Sequence, residues 1–333
     1  MPFLQTIGGG SSKGFSSTQK FVEQTATFNY TGSVQSFTVP ANTQSIFAYV
    51  FGPGGGADSD TPSRGGAGGF SQGNINPVAG ATMKIIVGGF GAPGSQNNGS
   101  GAGYSAVATP NWGGSSVGTD HGAIIIAAGG GGGGGDAGGN SINHAMAGAG
   151  GGATGQRGTP NPSSGQGGTQ SGGGAYYGGG SGSGNCTATS CAGTTLRGGT
   201  GCGGAEGSGG VGWPAQIYGG TWSSAAGGNG CNAGGGGSGY YGGAGGGGGD
   251  PNGGVGGGGS GYTGGSTSGG SFSTSNVGTW TGNYSDPPSQ ATSSSYYATG
   301  ISKGGITSQN NGNTGNTHSG GYGKVVLVYV APG

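Results

Sequence analysis

Apolar positions recur every second residue through residues 25–51. Phe28 and Tyr30 come first, then Phe37 and Val39 ahead of Pro40, then Ile46, Ala48 and Val50 on one face with Phe47, Tyr49 and Phe51 on the other. That period predicts strands, and the breaks at Thr31-Gly32 and Pro40-Ala41-Asn42-Thr43 predict the turns between three of them. Further strands are predicted at 70–75, 82–87, 105–108 and 123–128. A closing strand at 323–330 is β-branched, carries an edge-compatible Lys324, and has Pro332 just beyond it. Strands at both ends of the chain predict one closed β framework holding a long insertion. Its first and last strands should pair, which brings the termini together.

The strand at 123–128 runs directly into seven consecutive glycines, Gly129 to Gly135. Glycine loses the most backbone entropy on ordering and has no side chain to bury, so this half is neither helix nor ordinary strand interior. Similar tracts recur at 172–174, 178–180, 234–237, 245–249 and 256–259. An extended three-residue-per-turn conformation makes no internal backbone bonds and points every N–H and C=O outward. Such tracts, packed side by side, satisfy one another only where nothing larger than hydrogen separates them. On this reading a single inserted β-branched residue breaks the lattice.

Composition fits a lattice better than a solvated chain. Of 333 residues 101 are glycine and 29% are hydrophobic, yet only 5% are charged and the net charge is zero. The self-repulsion of disordered chains is therefore missing. A neutral chain lacks the basic footprint that nucleic acid requires. No run of 18 apolar residues predicts a membrane span, and no signal peptide is evident.

Taken together, several segments resemble one family. They are Thr27-Phe-Asn-Tyr-Thr-Gly-Ser-Val-Gln-Ser-Phe-Thr-Val-Pro40, the Gly52-Pro-Gly-Gly-Gly56 that follows the third strand, MKIIVGG at 83–89, IIIAAGGGGGGG, and the closing GGYGKVVLVYV. This series resembles the glycine-rich domain of phage and bacterial surface proteins, which is also known in the anaplastic lymphoma kinase receptor. The resemblance covers about residues 25–330 and implies a mainly β, jelly-roll-like (tumour-necrosis-factor-like) framework with a large inserted bundle of polyglycine-II helices, here at about 129–303. The opening MPFLQTIGGGSSKGF resembles the N-terminus of virion proteins of marine tailed phages, including cyanophages. It implies an N-terminal arm, residues 1–24, that attaches to other virion proteins, with Phe3, Leu4, Ile7, Lys13 and Phe15 as the candidate contacts. Related lattices occur in the distal adhesins of T-even-like tail fibres, where loops between the glycine helices meet the host receptor.

The side-chain chemistry gives candidates for recognition and none for catalysis. Tyrosine and tryptophan supply contact area at low entropic cost with a polar tip. Trp213, Tyr218, Trp222, Trp280, Tyr284, Tyr296 and Tyr297 are the candidate receptor-binding residues. The alternative for such aromatics is to plate the lattice or pack neighbouring subunits; it applies above all to the paired tyrosines beside glycine tracts. Cys186, Cys191, Cys202 and Cys231 permit three pairings; 186–191 with 202–231 is preferred, with free thiols as the alternative. Their spacings, without a nearby histidine, argue against zinc. His121, His144 and His318 are far apart in sequence, and the glycine strings open no strand-to-helix nucleotide motif. The expected protein is thus non-enzymatic, without cofactor, metal or membrane insertion. It is expected to be a phage virion adhesin on a tail fibre or tail tip, homo-oligomeric with a trimer as the candidate state, that contacts a host glycan or outer-membrane protein. The alternative is a head or tail fibre or decoration protein whose aromatics face neighbouring subunits.

Overall fold

The structure, a computed structural model, describes residues 19–57, 63–93, 99–113, 121–135, 145–159, 164–175, 192–199, 233–247, 254–274, 285–306 and 319–333. They form a mainly β protein with antiparallel sheets and almost no helix. The strands are β1 (Phe21–Asn29), β2 (Gln35–Thr38), β3 (Ser45–Phe51), β4 (Ser63–Arg64), β5 (Phe70–Ile75), β6 (Thr82–Ile86), β7 (Ser105–Ala108), β8 (Ile124–Ala128), β9 (Ala145–Met146), β10 (Ser268–Ser273) and β11 (Lys324–Pro332). One sheet has the order β1-β11-β3-β5-β10 and the other β2-β6-β7-β8, while β4 and β9 make a short parallel pair.

The two larger sheets face each other across a side-chain core. Ile46, Ala48 and Val50 of β3, with Val325 and Leu327 of β11, meet Met83 and Ile85 of β6, Val107 of β7 and Ile126 of β8. The period-two pattern thus does what it predicts, sending alternate residues inward. β1 and β11 pair along their whole length, Phe21 opposite Pro332 and Asn29 opposite Lys324, so the chain's first and last strands are neighbours.

Beyond one end of this sandwich the described glycine tracts form a largely buried array bonded backbone to backbone. Tract 129–135 shows the rule. Gly130 and Gly133 donate to Ser238 and Gly235 of one neighbour, Gly131 and Gly134 to Pro53 and Gly56 of a second, and Gly132 to Gly148 of a third. Its carbonyls keep the same cycle. Gly129 and Gly132 accept from Gly69 and Gly66, Gly130 and Gly133 from Gly259 and Gly256, and Gly131 and Gly134 from Ala102 and Gly99. These bonds span 2.6 to 3.0 Å, repeat every third residue, and reach six separate tracts. Tract 254–261 is enclosed in the same manner: Gly256 and Gly259 donate to 129–135, Gly257 and Ser260 to 241–247, and Gly258 to 154–159. Each amide bond is worth only about 1 kcal/mol net, but leaving a buried group unpaired costs about 1–3 kcal/mol, so the array stands or falls on complete pairing.

The contacts leave no room for side chains along the enclosed tracts. A Cβ on Gly131 would overlap the Gly66 carbonyl, one on Gly132 the Gly256 carbonyl, and one on Gly133 the Gly99 carbonyl. The expectation that any β-branched residue breaks the lattice is nevertheless too strong. Val255 lies in tract 254–261 and is 1% exposed; its side chain packs on Ala147 and occupies the space that a Cβ on Gly158 would need. There the branched side chain takes the place that a side chain on Gly158 would fill, whereas a Cβ on Gly131, Gly132 or Gly133 would meet a backbone carbonyl.

Four further differences from the sequence reading have local causes. Phe21–Gln24, assigned to the arm, belong to β1, because the end of β11 offers them Tyr329 to Pro332 as partners. Ser268–Ser273, inside the expected glycine-helix insertion, is a strand that pairs with β5 through a bulge. β11 is not an edge strand: it lies between β1 and β3, and Lys324 at its start donates from Nζ to the Tyr296 carbonyl at 2.7 Å. The array also draws in tracts outside 129–303, including 52–57, 65–69, 88–93, 99–104 and 319–323.

These contacts set a sharp contrast between two glycines. Gly132→Val is expected to destabilise by about 3 kcal/mol or more, the upper range for overpacking an interior. Gly122, whose Cβ would meet nothing within 4 Å, should accept alanine with no loss or a gain of up to ~1 kcal/mol. Urea denaturation of the two variants checks both.

Candidate recognition surface

The register of the strands gives the molecule two poles. At one, the Gly333 amide donates to the Lys20 carbonyl at 3.0 Å, so the described chain enters and leaves there. At the other end of the same strands, Asn29 and Phe51 both lie opposite Lys324, and the array departs from that level. The described turns of the array at 151–154, 169–172, 194–197 and 240–241 fold back towards the sandwich. The opposite tract ends are tied together away from it: Gly134 donates to Gly56, Gly99 to Gly134, Gly234 to Gly254 and Gly254 to Gly247, and Met146 exchanges bonds with Thr159. Segments 58–62, 94–98, 136–144, 160–163, 200–232, 248–253 and 307–318 connect to tract ends that face away from the sandwich.

Most sequence-predicted site residues fall outside the described residues. These are Trp213, Tyr218, Trp222, Trp280 and Tyr284, the arm positions Phe3, Leu4, Ile7, Lys13 and Phe15, and all four cysteines, Cys186, Cys191, Cys202 and Cys231. Tyr296 and Tyr297 are described, and both are half-buried on the outer face of the five-stranded sheet. The short helix α1 (Ser289–Thr292) leads into them. Tyr296 lies 4.8 Å from Tyr49 and Tyr297 6.5 Å from Phe51, ring to ring, over a cluster that includes Phe70 and Ala291. Burial, with a smaller effect of Asp286, raises the Tyr297 phenol above its ordinary range. Both rings therefore give much of their area to packing within the chain.

One aromatic group escapes sequence reasoning because its members lie far apart along the chain. His121, Tyr240 and Tyr262 form a continuous stack with centroids 3.7 Å apart at each step, and Tyr241 meets His121 edge-on at 4.8 Å. Tyr240 and Tyr262 lean on a buried cluster outside the four-stranded sheet that contains Ile86, Tyr104, Trp112, Ile124 and Leu196. Leu196 is held in the left-handed region (φ 59°) at the 194–197 turn and is fully buried there. This collar joins array to sandwich. The only signal for it was the Tyr240-Tyr241 pair between two tracts.

The stack is electrostatically tuned by its own burial. Desolvation, then a hydrogen bond with the Tyr262 side chain, holds the Tyr240 phenol far above its usual value. Desolvation lowers the His121 pKa, only partly offset by a hydrogen bond to the Tyr240 backbone. Among the described residues no three His, Cys, Asp or Glu side chains come together as a metal site. Compared with known proteins, the chain matches no family model and no curated sequence.

The lowered His121 pKa carries a stability consequence. The unfolded chain binds the imidazole proton more readily than the folded one, so stability is full above the ordinary value of 6.5 and declines as pH falls towards the folded value. The melting temperature should drop between pH 7.5 and 5.5, and His121→Phe should drop less over that range. Differential scanning fluorimetry at matched ionic strength checks this.

Proposed function

We propose that the chain is a phage virion adhesin: a jelly-roll-like framework that carries a polyglycine-II bundle, with attachment to the particle at one pole and recognition of the host at the other. The observation that carries the reading is the two-pole arrangement. The described chain enters through β1 and leaves through β11 at one pole, while most segments between tracts join tract ends at the opposite one, through an array held by paired backbone groups. Such an array is a stiff support for variable loops, which is where recognition chemistry concentrates. The three-residue cycle and six neighbours of tract 129–135 are what packed polyglycine-II helices require. The resemblance of the opening residues to phage virion proteins favours a particle as the attachment site. No catalytic step is part of this proposal.

On this reading the segments 200–232 and 275–284 supply Trp213, Tyr218, Trp222, Trp280 and Tyr284 to a host glycan or outer-membrane protein. Tyr296 and Tyr297 contribute mainly by fixing the 285–303 segment on the sheet.

The test is binding of the purified protein to host and non-host cells, with and without Trp213, Tyr218 and Trp222 changed to alanine. Host-selective binding that weakens about 30-fold or more in the triple variant is expected, since a single aromatic anchor is commonly worth ~2 kcal/mol. A folded protein that binds no cells would assign the chain to a fibre or decoration role, with its aromatics against neighbouring subunits.

A further inference from the structure

Sheet edges are templates for pairing, and natural proteins blunt them with short strands, bulges, prolines, lysines or covering loops. Three of the four edges of the two large sheets here are managed. β2 has only four residues. β10 carries a bulge between Ser268 and Ser271, with Gly269 in the left-handed region (φ 64°). β8 is covered by the chain at 262–265: Tyr262 and Ala127 exchange backbone bonds at 2.8 and 2.9 Å, and the Gly265 amide donates to Ile125 at 3.1 Å.

β1 is the exception. Its nine residues, FVEQTATFN, hold no proline, lysine or bulge and a single charge, Glu23. Among the described residues it pairs only with β11. Among the described residues, the one further bond to its backbone within the strand is from Gln35 Nε2 to the Asn29 carbonyl at 2.8 Å. The core is also open along this side. Val22, Gln24, Ala26 and Phe28 alternate with exposed neighbours, and even these inward positions are only half-buried. Ala26 and Phe28 lie against the core cluster without being closed into it.

We propose that β1 receives an extended strand of the virion protein that holds this chain, with apolar residues at every second position. The added strand would complete the backbone ladder on the free side and cover Val22, Ala26 and Phe28. The inference rests on the attachment reading above and makes the attachment surface specific. Two other occupants fit less well. Self-pairing of β1 about a two-fold axis is antiparallel, so it would point the two arrays in opposite directions and turn one recognition pole back towards the particle. In residues 1–18 the apolar positions cluster at 3–7, between Pro2 and Gly8, about half the length of β1, and 11–18 holds one apolar residue, Phe15. β1 begins at the pole where the described chain enters and leaves, which is the attachment pole of that reading.

The experiment is hydrogen–deuterium exchange of residues 21–29 in three samples: the purified full chain, purified chain lacking residues 1–18, and native particles. The expected result is that about half of the β1 amides exchange rapidly in both purified samples and slow at least 100-fold on the particle. Ala26→Lys, which puts a charge on the inward side, should fold with an unchanged exchange pattern elsewhere yet be absent from particles; Thr27→Lys, outward-facing, should be incorporated. Equal exchange in purified chain and particle would overturn the inference. So would β1 amides already protected in a purified dimer, which would identify a second copy, or protection lost on deleting 1–18, which would identify the chain's own segment. A wild-type chain missing from particles would instead overturn the attachment reading itself.

Discussion

The structure depends on one constraint: an extended glycine tract can satisfy none of its own backbone groups. Each N–H and C=O must find a partner on another tract, and tracts can approach closely enough only if they lack side chains. The three-residue cycle around 129–135 is the geometric answer, with successive residues facing different neighbours. Because every tract is both donor and acceptor to several others, no tract is stable alone. Ordering costs ~1–2 kcal/mol per residue, and each bond returns about 1 kcal/mol net. Cooperative closure of many bonds, with dispersion between closely packed backbones, must therefore hold the array together.

The sandwich solves the problem of starting such an array. Its strands end in register at one level, and the tracts after β3, β6 and β8 and before β5, β7 and β11 all depart from there. Strand register thereby sets where each tract begins, which in turn sets which amide meets which carbonyl. The collar of His121, Tyr240 and Tyr262 and the buried Leu196 turn reinforce the junction with side-chain packing where the glycines provide none. Two kinds of interior, one of side chains and one of backbone, are thus joined end to end.

This division of labour separates the surfaces as well. Side chains enclosed in the array are few and small, mostly alanines, and Val255 fits by taking the space beside Gly158. Sequence variety is therefore pushed to the segments beyond the tract ends and to the flanks of the sandwich. The 285–303 segment covers one part of the five-stranded sheet, while among the described residues β1 at its edge pairs on one side only.

Much of the framework was legible in the residues themselves. Alternation placed the strands within residues 25–51, because one-sided burial forces period two, and strands at both ends of the chain predicted the pairing of first with last. The glycine tracts announced a backbone interior, since no other interior tolerates them. What lay beyond reach was partnership. β1 starts at Phe21 only because β11 extends far enough to pair with it, and Ser268–Ser273 becomes a strand only because β5 presents a free edge. The stack of His121 on Tyr240 and Tyr262 unites residues more than a hundred positions apart, so no local pattern marks it. Local steric and hydrophobic preferences write themselves into a sequence; which tract meets which, and which edge is left open, is settled only when the whole chain closes.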